Sequence, residues 1–200
     1  MKEDSISKHA KYLTRNLISK ALVNRFFRRL GNLYLRIEPN LVLDIGCGEG
    51  LILRYLNTLK KLNESYAIDI DPAEVADAKK NIPFCHVEVG SIYQMSFKDN
   101  FADLVICSEV LEHIDDPLKG LKELHRVSKD RVIMSVPREP LWRLMNMARF
   151  KYWNRLGNTP DHINHWNLRS FSRFISPYFE ILEIRLPLPW ILLLCKKKSL

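Results

Sequence analysis

The segment "LVLDIGCGEG", residues 41–50, decides the fold of this 200-residue chain. A short apolar run ends at Asp44. Glycine then occupies every second position, at Gly46, Gly48 and Gly50. Glycine adopts positive φ without strain and lets a ligand approach the backbone closely. By itself the segment fits a tight turn in a parallel sheet, a nucleotide loop or a cofactor loop.

Short apolar segments recur after this loop, and helix-like segments separate most of them. The predicted strands are residues 41–45, 65–70, 84–89, 103–107 and 131–136. The predicted helices between them are residues 51–60, 72–80 and 117–127. This alternation predicts a parallel sheet that helices cover on both faces. The overall plan is a helix, five strand–helix units, an insertion and a terminal hairpin.

The predicted domain is flanked by a distinct segment at its N-terminal side and interrupted near its end. We predict that residues 1–38 form a basic amphipathic helical segment, in which residues 22–34 place apolar side chains on one face and arginines on the other. The domain itself covers residues 39–200. Residues 138–170 do not continue the strand–helix pattern and form a substrate-side insertion, and the apolar end of the chain predicts two strands joined around Pro187–Pro189.

Composition limits the class of protein. Hydrophobic residues make up 46% and charged residues 27%, as in an ordinary globular domain. The charged N-terminus predicts no signal peptide, and the most apolar run (186–195) is too short for a membrane span, so we expect a cytoplasmic location. The four cysteines form no CxxC pair, which argues against a zinc site or a disulfide framework.

Net charge is +8, and much of the excess lies in residues 1–38, with nine basic and three acidic residues. A basic patch favours an anionic partner such as nucleic acid, a lipid surface or a phosphorylated substrate. A solvated helix surface explains the same charge equally well.

The next predicted strand ends "YAIDID". Asp69 lies 19 residues beyond Gly50, where a carboxylate can accept hydrogen bonds from both hydroxyls of a ribose. We assign that role to Asp69 and helix capping to Asp71, because Pro72 suits a first helical position. The G-x-G-x-G spacing differs from the dinucleotide fingerprint, and no Tyr-x-x-x-Lys pair is present, which argues against a nicotinamide dehydrogenase.

Taken in order, these segments resemble one family. "LDIGCGEG", "AIDIDP", "VGSIYQMSFKDNFADLVICSEVLEH" and "RVIMSVP" are similar to the class I S-adenosylmethionine-dependent methyltransferases, in particular the small-molecule, type 11-like branch. The resemblance covers about residues 38–137 and the terminal hairpin. It implies an α/β fold: a Rossmann-like, seven-stranded, mostly parallel sheet with an antiparallel C-terminal hairpin and helices on both faces. It also implies S-adenosylmethionine as the cofactor.

The resemblance carries cofactor contacts onto matching positions of this chain. These positions are Asp44, Gly46, Cys47, Gly48, Asp69, Ile70, Ser91, Ile92, Ser108 and Glu109. Asp44 and the glycines would lie against the methionine part, Asp69 would hold the ribose, and Ile70 would pack on the adenine. Ser91 stands where the family commonly has Asp, so a hydroxyl replaces a carboxylate near the adenine. Ser108 and Glu109 would line the pocket beneath the transferred methyl group.

Methyl transfer from a sulfonium needs mainly orientation, and a base only where the acceptor must lose a proton. The candidate catalytic residues are His113, after the fourth strand, and His162 and His165 in "DHINHW". Each has a structural alternative: a helix-end histidine bonded to a carbonyl, or a loop anchored by Trp166. The H-x-x-H pair lacks a third ligand, so we expect no metal site.

The leading interpretation is methyl transfer by in-line displacement to a small-molecule or lipid-like acceptor. An RNA or tRNA methyltransferase is one alternative, although no RNA-binding motif is appended and "SEVL" stands where base methylases have Asn-Pro-Pro-Tyr. A non-catalytic S-adenosylmethionine-binding protein is another, and the intact loop argues against it.

Residues 140–153 mix aromatic and basic side chains, which fits a lid or a core-packing helix. Together with the basic N-terminal helix, they favour peripheral contact with an anionic membrane surface. The sequence leaves the oligomeric state open.

Overall fold

The structure, a computed structural model, describes residues 17–199. A single seven-stranded sheet forms its centre. Its strands are β1 (Leu41–Ile45), β2 (Glu64–Asp69), β3 (His86–Val89), β4 (Ala102–Ser108), β5 (Ser128–Pro137), β6 (Phe179–Arg185) and β7 (Trp190–Lys197). Their order is β3-β2-β1-β4-β5-β7-β6. Strands β1 to β5 are parallel, and β7 runs antiparallel to both β5 and β6. The predicted fold class and terminal hairpin are confirmed.

Helices precede the sheet and connect most of its strands. They are α1 (Leu17–Ile37), α2 (Leu51–Leu59), α3 (Pro72–Asn81), α4 (Pro117–Val127), α5 (Leu141–Ala148) and α6 (Leu168–Ile175). Two short 3-10 turns lie at Leu111–His113 and Trp153–Arg155. Among residues 17–199, no helix is both long and apolar enough to cross a membrane.

The expectation of five strand–helix units is wrong at one place, because β3 leads to β4 without a helix. The connecting residues 90–101 start with a tight turn, in which Ser91 pairs with Gln94 in an isolated bridge. The guanidinium of Arg126 then donates hydrogen bonds to the carbonyl oxygens of Met95 and Phe97. An arginine of α4 thus satisfies backbone groups that a helix would otherwise have paired.

Two helices begin as their sequences predict. The Asp71 carboxylate accepts a hydrogen bond from the amide of Ala73 (2.9 Å), with Pro72 at the first position of α3. Asp116 accepts in the same way from the amide of Lys119 (2.9 Å) at the start of α4. Each aspartate satisfies a backbone amide that lacks a partner within its helix.

Side chains of β1 alternate between two hydrophobic cores, one on each face of the sheet. Leu43 and Ile45 contribute to a core that α4 and α6 cover. Val42 points to the opposite face and joins a core that α1, α2 and α3 cover. Burial on both faces fixes the register of the central strands, because a slip of one residue would exchange the two sets of side chains.

Helix α1 packs into the second of these cores. Phe26, Leu30 and Leu33 are buried, and the ring of Phe26 lies 5.2 Å from that of Trp190 on β7. The arginines of the predicted basic face (Arg25, Arg28, Arg29) are exposed, as expected. The helix therefore shares the core of the sheet. Residues 1–16 of the predicted N-terminal segment lie outside the described residues.

We predict that Phe26→Ala lowers the free energy of unfolding by about 3–5 kcal/mol, because it removes a buried ring that links α1 to β7. Arg28→Ala, on the exposed face of the same helix, should change it by less than about 0.5 kcal/mol. Urea denaturation followed by circular dichroism measures both. Equal, small effects of the two substitutions would mean that α1 does not contribute to the core.

Candidate functional site

The candidate site lies at the carboxyl ends of β1, β2 and β4. The strand order reverses beside β1, since chain connections run to β2 and β3 on one side and to β4 and β5 on the other. In an open parallel sheet, such a reversal leaves a crevice where ligands bind. The predicted glycine loop and the segment after β4 both border this crevice.

The glycine loop is tied to the end of β2. Its glycines have positive φ, at 69° for Gly46, 52° for Gly48 and 83° for Gly50. The amides of Gly46 and Cys47 both donate to the carbonyl oxygen of Ile68, at 2.8 and 3.0 Å. These bonds hold the loop in one path, close to the neighbouring strand.

The three glycines lack side chains for different reasons. A Cβ on Gly46 would lie 2.3 Å from Cγ2 of Val110, and one on Gly50 would lie 2.8 Å from Cδ1 of Ile82. A Cβ on Gly48 would meet its nearest atom, a carboxylate oxygen of Glu74, at 3.7 Å. The sequence analysis assigns both Gly46 and Gly48 to close contact with a cofactor. At Gly46, however, packing against Val110 already excludes a side chain. Of the three positions, only Gly48 has room for a Cβ without a close contact.

Asp44 is a buried carboxylate within this region. It is 1% exposed, and its neighbours in register on β2 and β4 are Ala67 and Ile106. Neither carboxylate oxygen has a hydrogen-bond partner among residues 17–199. Burial, with a smaller contribution from the charge of Asp69, raises the pKa of Asp44 from 3.8 to about 7. Buried polar groups are normally paired, so this position suits the cationic group of a ligand.

Asp69 ends β2 and accepts two backbone hydrogen bonds. One oxygen accepts from the amide of Gly48 (2.8 Å), and the other accepts from the amide of Asp71 (3.0 Å). Each carboxylate oxygen has more than one acceptor site, so capacity remains for a ligand hydroxyl. Asp69 therefore holds the loop and still presents an acceptor to the crevice.

The other predicted cofactor positions differ in exposure. Ile70, directly after Asp69, is 71% exposed and offers an apolar surface. Ser91 is partly exposed, and its hydroxyl accepts a bond from the amide of Tyr93 (3.3 Å). The side chain of Ile92 is buried in the core, near Gly120 of α4. Cys47 is buried as well, and burial raises the pKa of its thiol.

A chain of hydrogen bonds fixes Ser108 and Glu109 at the end of β4. The hydroxyls of Ser108 and Ser135 are 2.8 Å apart, and Ser135 donates to one oxygen of Glu109 (3.0 Å). The indole of Trp190 donates to the other oxygen (2.8 Å). Glu109 has a positive φ of 59°, which is unusual for a residue with a side chain and is typical of sites under functional constraint. Sequence reasoning missed Ser135 and Trp190, since neither belongs to a recognisable motif.

The structure divides the three predicted catalytic histidines between two places. The rings of His113 and His162 meet edge to face, with 4.9 Å between their centroids. His165 lies apart, with Nδ1 3.6 Å from a carboxylate oxygen of Glu139. Burial, and then the positive charge of Arg143, lowers the pKa of His165. The fold therefore brings His162 next to His113, and it does not bring together His162 and His165 of the H-x-x-H pair.

Sequence reasoning also missed the carboxylates beside these histidines. Glu112 is fully buried, with one oxygen 3.8 Å from Nε2 of His113, and its place next to His113 in the sequence was a usable signal. Glu139 lies near both His165 and Arg143, whose Nε is 3.7 Å from the same carboxylate oxygen. Only the fold brings Glu139 and His165 together.

The insertion at 138–170 builds a wall beside this end of the sheet. Trp142 of α5 is buried, donates from its indole to the hydroxyl of Thr159 (2.9 Å), and stacks on His162. Trp166 is buried and stacks on Phe174 of α6, so it is the plug that the structural alternative predicts. The outer part of the insertion exposes several large apolar side chains (Leu144, Phe150, Trp153, Leu156).

The sheet is Rossmann-like, with a glycine loop after β1, an acidic residue at the end of β2 and an insertion beside the crevice. These features are typical of folds that bind nucleoside cofactors. Similarity to known proteins shows which of these folds the chain resembles. Residues 43–136 match the family described as "Methyltransferase domain". The crystal structure of magnesium protoporphyrin IX methyltransferase from Synechocystis PCC 6803 with bound SAH superposes with a TM-score of 0.74 at 17% identity, over 98% of this chain and 94% of that one.

Two curated relatives illustrate the sequence similarity. An uncharacterised methyltransferase of Schizosaccharomyces pombe is 36% identical over 101 residues, which cover 44% of this chain and 36% of the relative. A ubiquinone biosynthesis O-methyltransferase of Rickettsia bellii is 28% identical over 176 residues, which cover 83% of this chain and 69% of the relative. The aligned regions cover only 36%, 42% and 29% of the length of three of the matched relatives.

Residues 43–136 of the chain match a methyltransferase domain, and the proteins that resemble the chain in sequence and in fold include S-adenosylmethionine-dependent methyltransferases; S-adenosylmethionine is the cofactor that these matches support. The sequence-based assignment of family, fold and cofactor is confirmed.

We predict that Asp44→Asn alters the pH dependence of stability. A carboxyl whose pKa rises from 3.8 unfolded to about 7 folded is destabilising once it ionises, so the wild type loses stability as the pH rises between about 4 and 7. The amide variant lacks this loss, which amounts to at most about 4 kcal/mol for a shift of this size. Urea titrations of both proteins from pH 4.5 to pH 8 measure the difference. If the stability of the two proteins changes with pH in the same way, the pKa of Asp44 is not raised in the folded state.

We predict that Gly46→Ala destabilises the protein more than Gly48→Ala. The first combines a left-handed backbone with the contact against Val110 and should cost about 2–4 kcal/mol, whereas the second has only the backbone strain, about 1–2 kcal/mol. Thermal and chemical denaturation compare the two. If Gly48→Ala proves the more damaging substitution, the packing explanation for Gly46 fails.

Proposed function

We propose that this chain is an active methyltransferase that transfers the methyl group of S-adenosylmethionine to a small-molecule or lipid-like acceptor. The observation that carries the proposal is the buried carboxylate of Asp44, whose two oxygens have no hydrogen-bond partner among residues 17–199, in the strand that leads into the glycine loop. S-adenosylmethionine has an ammonium group at its methionine end. A carboxylate in apolar surroundings is stabilised most by such a cationic partner.

The residues around the crevice fit the remaining parts of this cofactor. Gly48 gives the methionine part access to the backbone, and Asp69 retains acceptor capacity for the ribose hydroxyls. Ile70 supplies an exposed apolar surface for the adenine, and the hydroxyl of Ser91 lies on the loop that follows β3. The buried side chain of Ile92 supports that loop from the core.

The chemistry asks the protein for orientation and for exclusion of water. S-adenosylmethionine supplies an activated methyl group, because the sulfonium sulfur leaves as a neutral thioether. The rigid chain from Ser108 through Ser135 to Glu109 fixes the floor of the crevice beside β4. A pre-organised floor of this kind holds the acceptor in line with the methyl group. Most of the rate enhancement of such a reaction arises from this orientation.

The insertion supports the acceptor assignment. Its inner side carries aromatic rings at Trp142 and His162, and its outer side combines the exposed Phe150 and Trp153 with the basic Arg149 and Lys151. This composition suits an amphipathic acceptor and peripheral contact with an anionic membrane surface. The Rickettsia relative, by its name, is an O-methyltransferase of ubiquinone biosynthesis, which agrees with a lipid-like acceptor.

RNA is the second candidate acceptor, because the exposed arginines of α1 (Arg25, Arg28, Arg29) form a basic surface. Incubation with methyl-labelled S-adenosylmethionine separates the candidates: label in a lipid extract of the host cell supports the leading proposal. Label in RNA alone would replace it.

We predict that S-adenosylhomocysteine binds the wild type with micromolar affinity and raises its melting temperature by mass action. Asp69→Ala should weaken this binding by at least about tenfold, since it removes the ribose acceptor and the bond to the Gly48 amide. Calorimetry and thermal shift measure both effects.

Asp71→Ala is the matched control. It removes the cap of α3 two residues away and costs about 1 kcal/mol of stability, but it leaves the ribose acceptor in place. Its affinity for S-adenosylhomocysteine should therefore stay close to that of the wild type. A wild-type protein that binds neither S-adenosylmethionine nor S-adenosylhomocysteine would overturn the proposal.

A further inference from the structure

The 3-10 turn after β4 and the loop at 159–164 assemble three side chains that the cofactor does not need. These are Glu112, His113 and His162, and one potential ligand atom from each lies within 4.8 Å of the others. Glu112 and His162 are buried, while His113 is partly exposed. Within residues 17–199 this is the group of acidic, histidine and cysteine side chains with the spacing of a metal site.

Backbone hydrogen bonds hold the two segments together. The amides of Ile163 and Asn164 both donate to the carbonyl oxygen of Glu112, at 3.0 and 3.1 Å. The side-chain amide of Asn164 donates to the carbonyl oxygens of Leu111 (3.0 Å) and Ile114 (2.7 Å). The loop is thereby fixed to the turn on both sides of Glu112. Such support from outside the ligand set gives a metal site its geometry.

The orientation of His113 points to ligation. Its Nδ1 lies 2.8 Å from the carbonyl oxygen of Asp161, and a carbonyl can only accept, so Nδ1 carries the hydrogen. Nε2, the other ring nitrogen, lies 3.8 Å from an oxygen of Glu112. A backbone carbonyl that fixes one ring nitrogen while the other faces a ligand position is the usual arrangement of metal-binding histidines.

The ring of His162 is fixed as well. It stacks on Trp142 with 5.5 Å between centroids, and its backbone amide donates to the carbonyl oxygen of Thr159 (3.1 Å). Glu109, three residues before Glu112, is not part of this group, and its two oxygens accept hydrogen bonds from Ser135 and Trp190. The set is therefore two imidazoles and one carboxylate.

We propose that Glu112, His113 and His162 bind a divalent first-row transition-metal ion such as Zn²⁺ or Mn²⁺, and that this ion binds a hydroxyl oxygen of the methyl acceptor. Two imidazoles favour such an ion over Mg²⁺ or Ca²⁺. Three protein ligands leave a position for the acceptor. The 3-10 turn begins two residues after Glu109, and Val110 between them packs against Gly46, so the site borders the donor crevice.

The second half of this proposal rests on the proposed methyltransferase function and names its acceptor class. A metal ion lowers the pKa of a bound hydroxyl, which releases its proton to solvent. The oxygen then forms a bond to the methyl carbon as the carbon–sulfur bond breaks, and the electron pair of that bond stays on sulfur. The acceptor is therefore an alcohol or phenol, and an O-methyl ether is the product.

The test is metal binding to the full chain after removal of metal with a chelator. Zn²⁺ binding is measured by calorimetry, and Co²⁺ serves as a spectroscopic probe, because its visible bands report nitrogen and oxygen ligation. We expect one high-affinity ion per chain. His162→Ala and the near-isosteric Glu112→Gln should each weaken binding by roughly 100-fold, since even supporting residues of metal sites change affinity 10–100-fold.

His165→Ala is the control, because it removes the other member of the H-x-x-H pair, which lies beside Glu139. Metal affinity should be unchanged. S-adenosylhomocysteine affinity, measured on the same samples, shows that each variant is folded and keeps the two proposals separate. Normal S-adenosylhomocysteine binding with no high-affinity metal ion, or equal losses in His162→Ala and His165→Ala, would overturn the metal site and leave the methyltransferase proposal standing.

Discussion

The carbonyl oxygen of Ile68 is the anchor on which the site depends. It accepts hydrogen bonds from two consecutive amides of the glycine loop, at Gly46 and Cys47. The carboxylate of Asp69, one residue further, accepts from Gly48. Three successive amides of the loop therefore end on two successive residues of β2, so the loop and the strand end move as one unit. The cofactor elements are positioned by the parallel pairing of β1 and β2, which is buried on both faces.

Much of this arrangement could be predicted from local patterns. The alternation around residues 41–45, the spacing from Gly50 to Asp69 and the Asp71–Pro72 helix start each depend on residues close in sequence. The structure agrees with them because short-range periodicity and capping chemistry survive folding. The hairpin at the end of the chain follows from the same reasoning.

The sequence-based predictions fail where a feature depends on contacts between residues far apart in the sequence. No local pattern shows that Arg126 satisfies the backbone of the loop after β3, or that Val110 leaves no room at Gly46. The grouping of His113 with His162 depends on hydrogen bonds between segments about fifty residues apart. The sequence offered His162 and His165 as a pair because they are neighbours along the chain, and packing around Trp142 and Glu139 separates them.

The family match ends at residue 136, and this position also separates the residues proposed for the methyl donor from the acceptor-side insertion. The positions proposed to bind the methyl donor precede it, whereas Trp142, His162 and the rest of the insertion follow it. The second part is joined to the first by hydrogen bonds such as that from the amide of Asn164 to the carbonyl oxygen of Glu112, and by core residues such as Trp166. Similarity confined to residues 43–136 therefore covers the positions proposed for the cofactor, but it covers only Glu112 and His113 of the proposed metal-binding group, because His162 lies outside the matched segment.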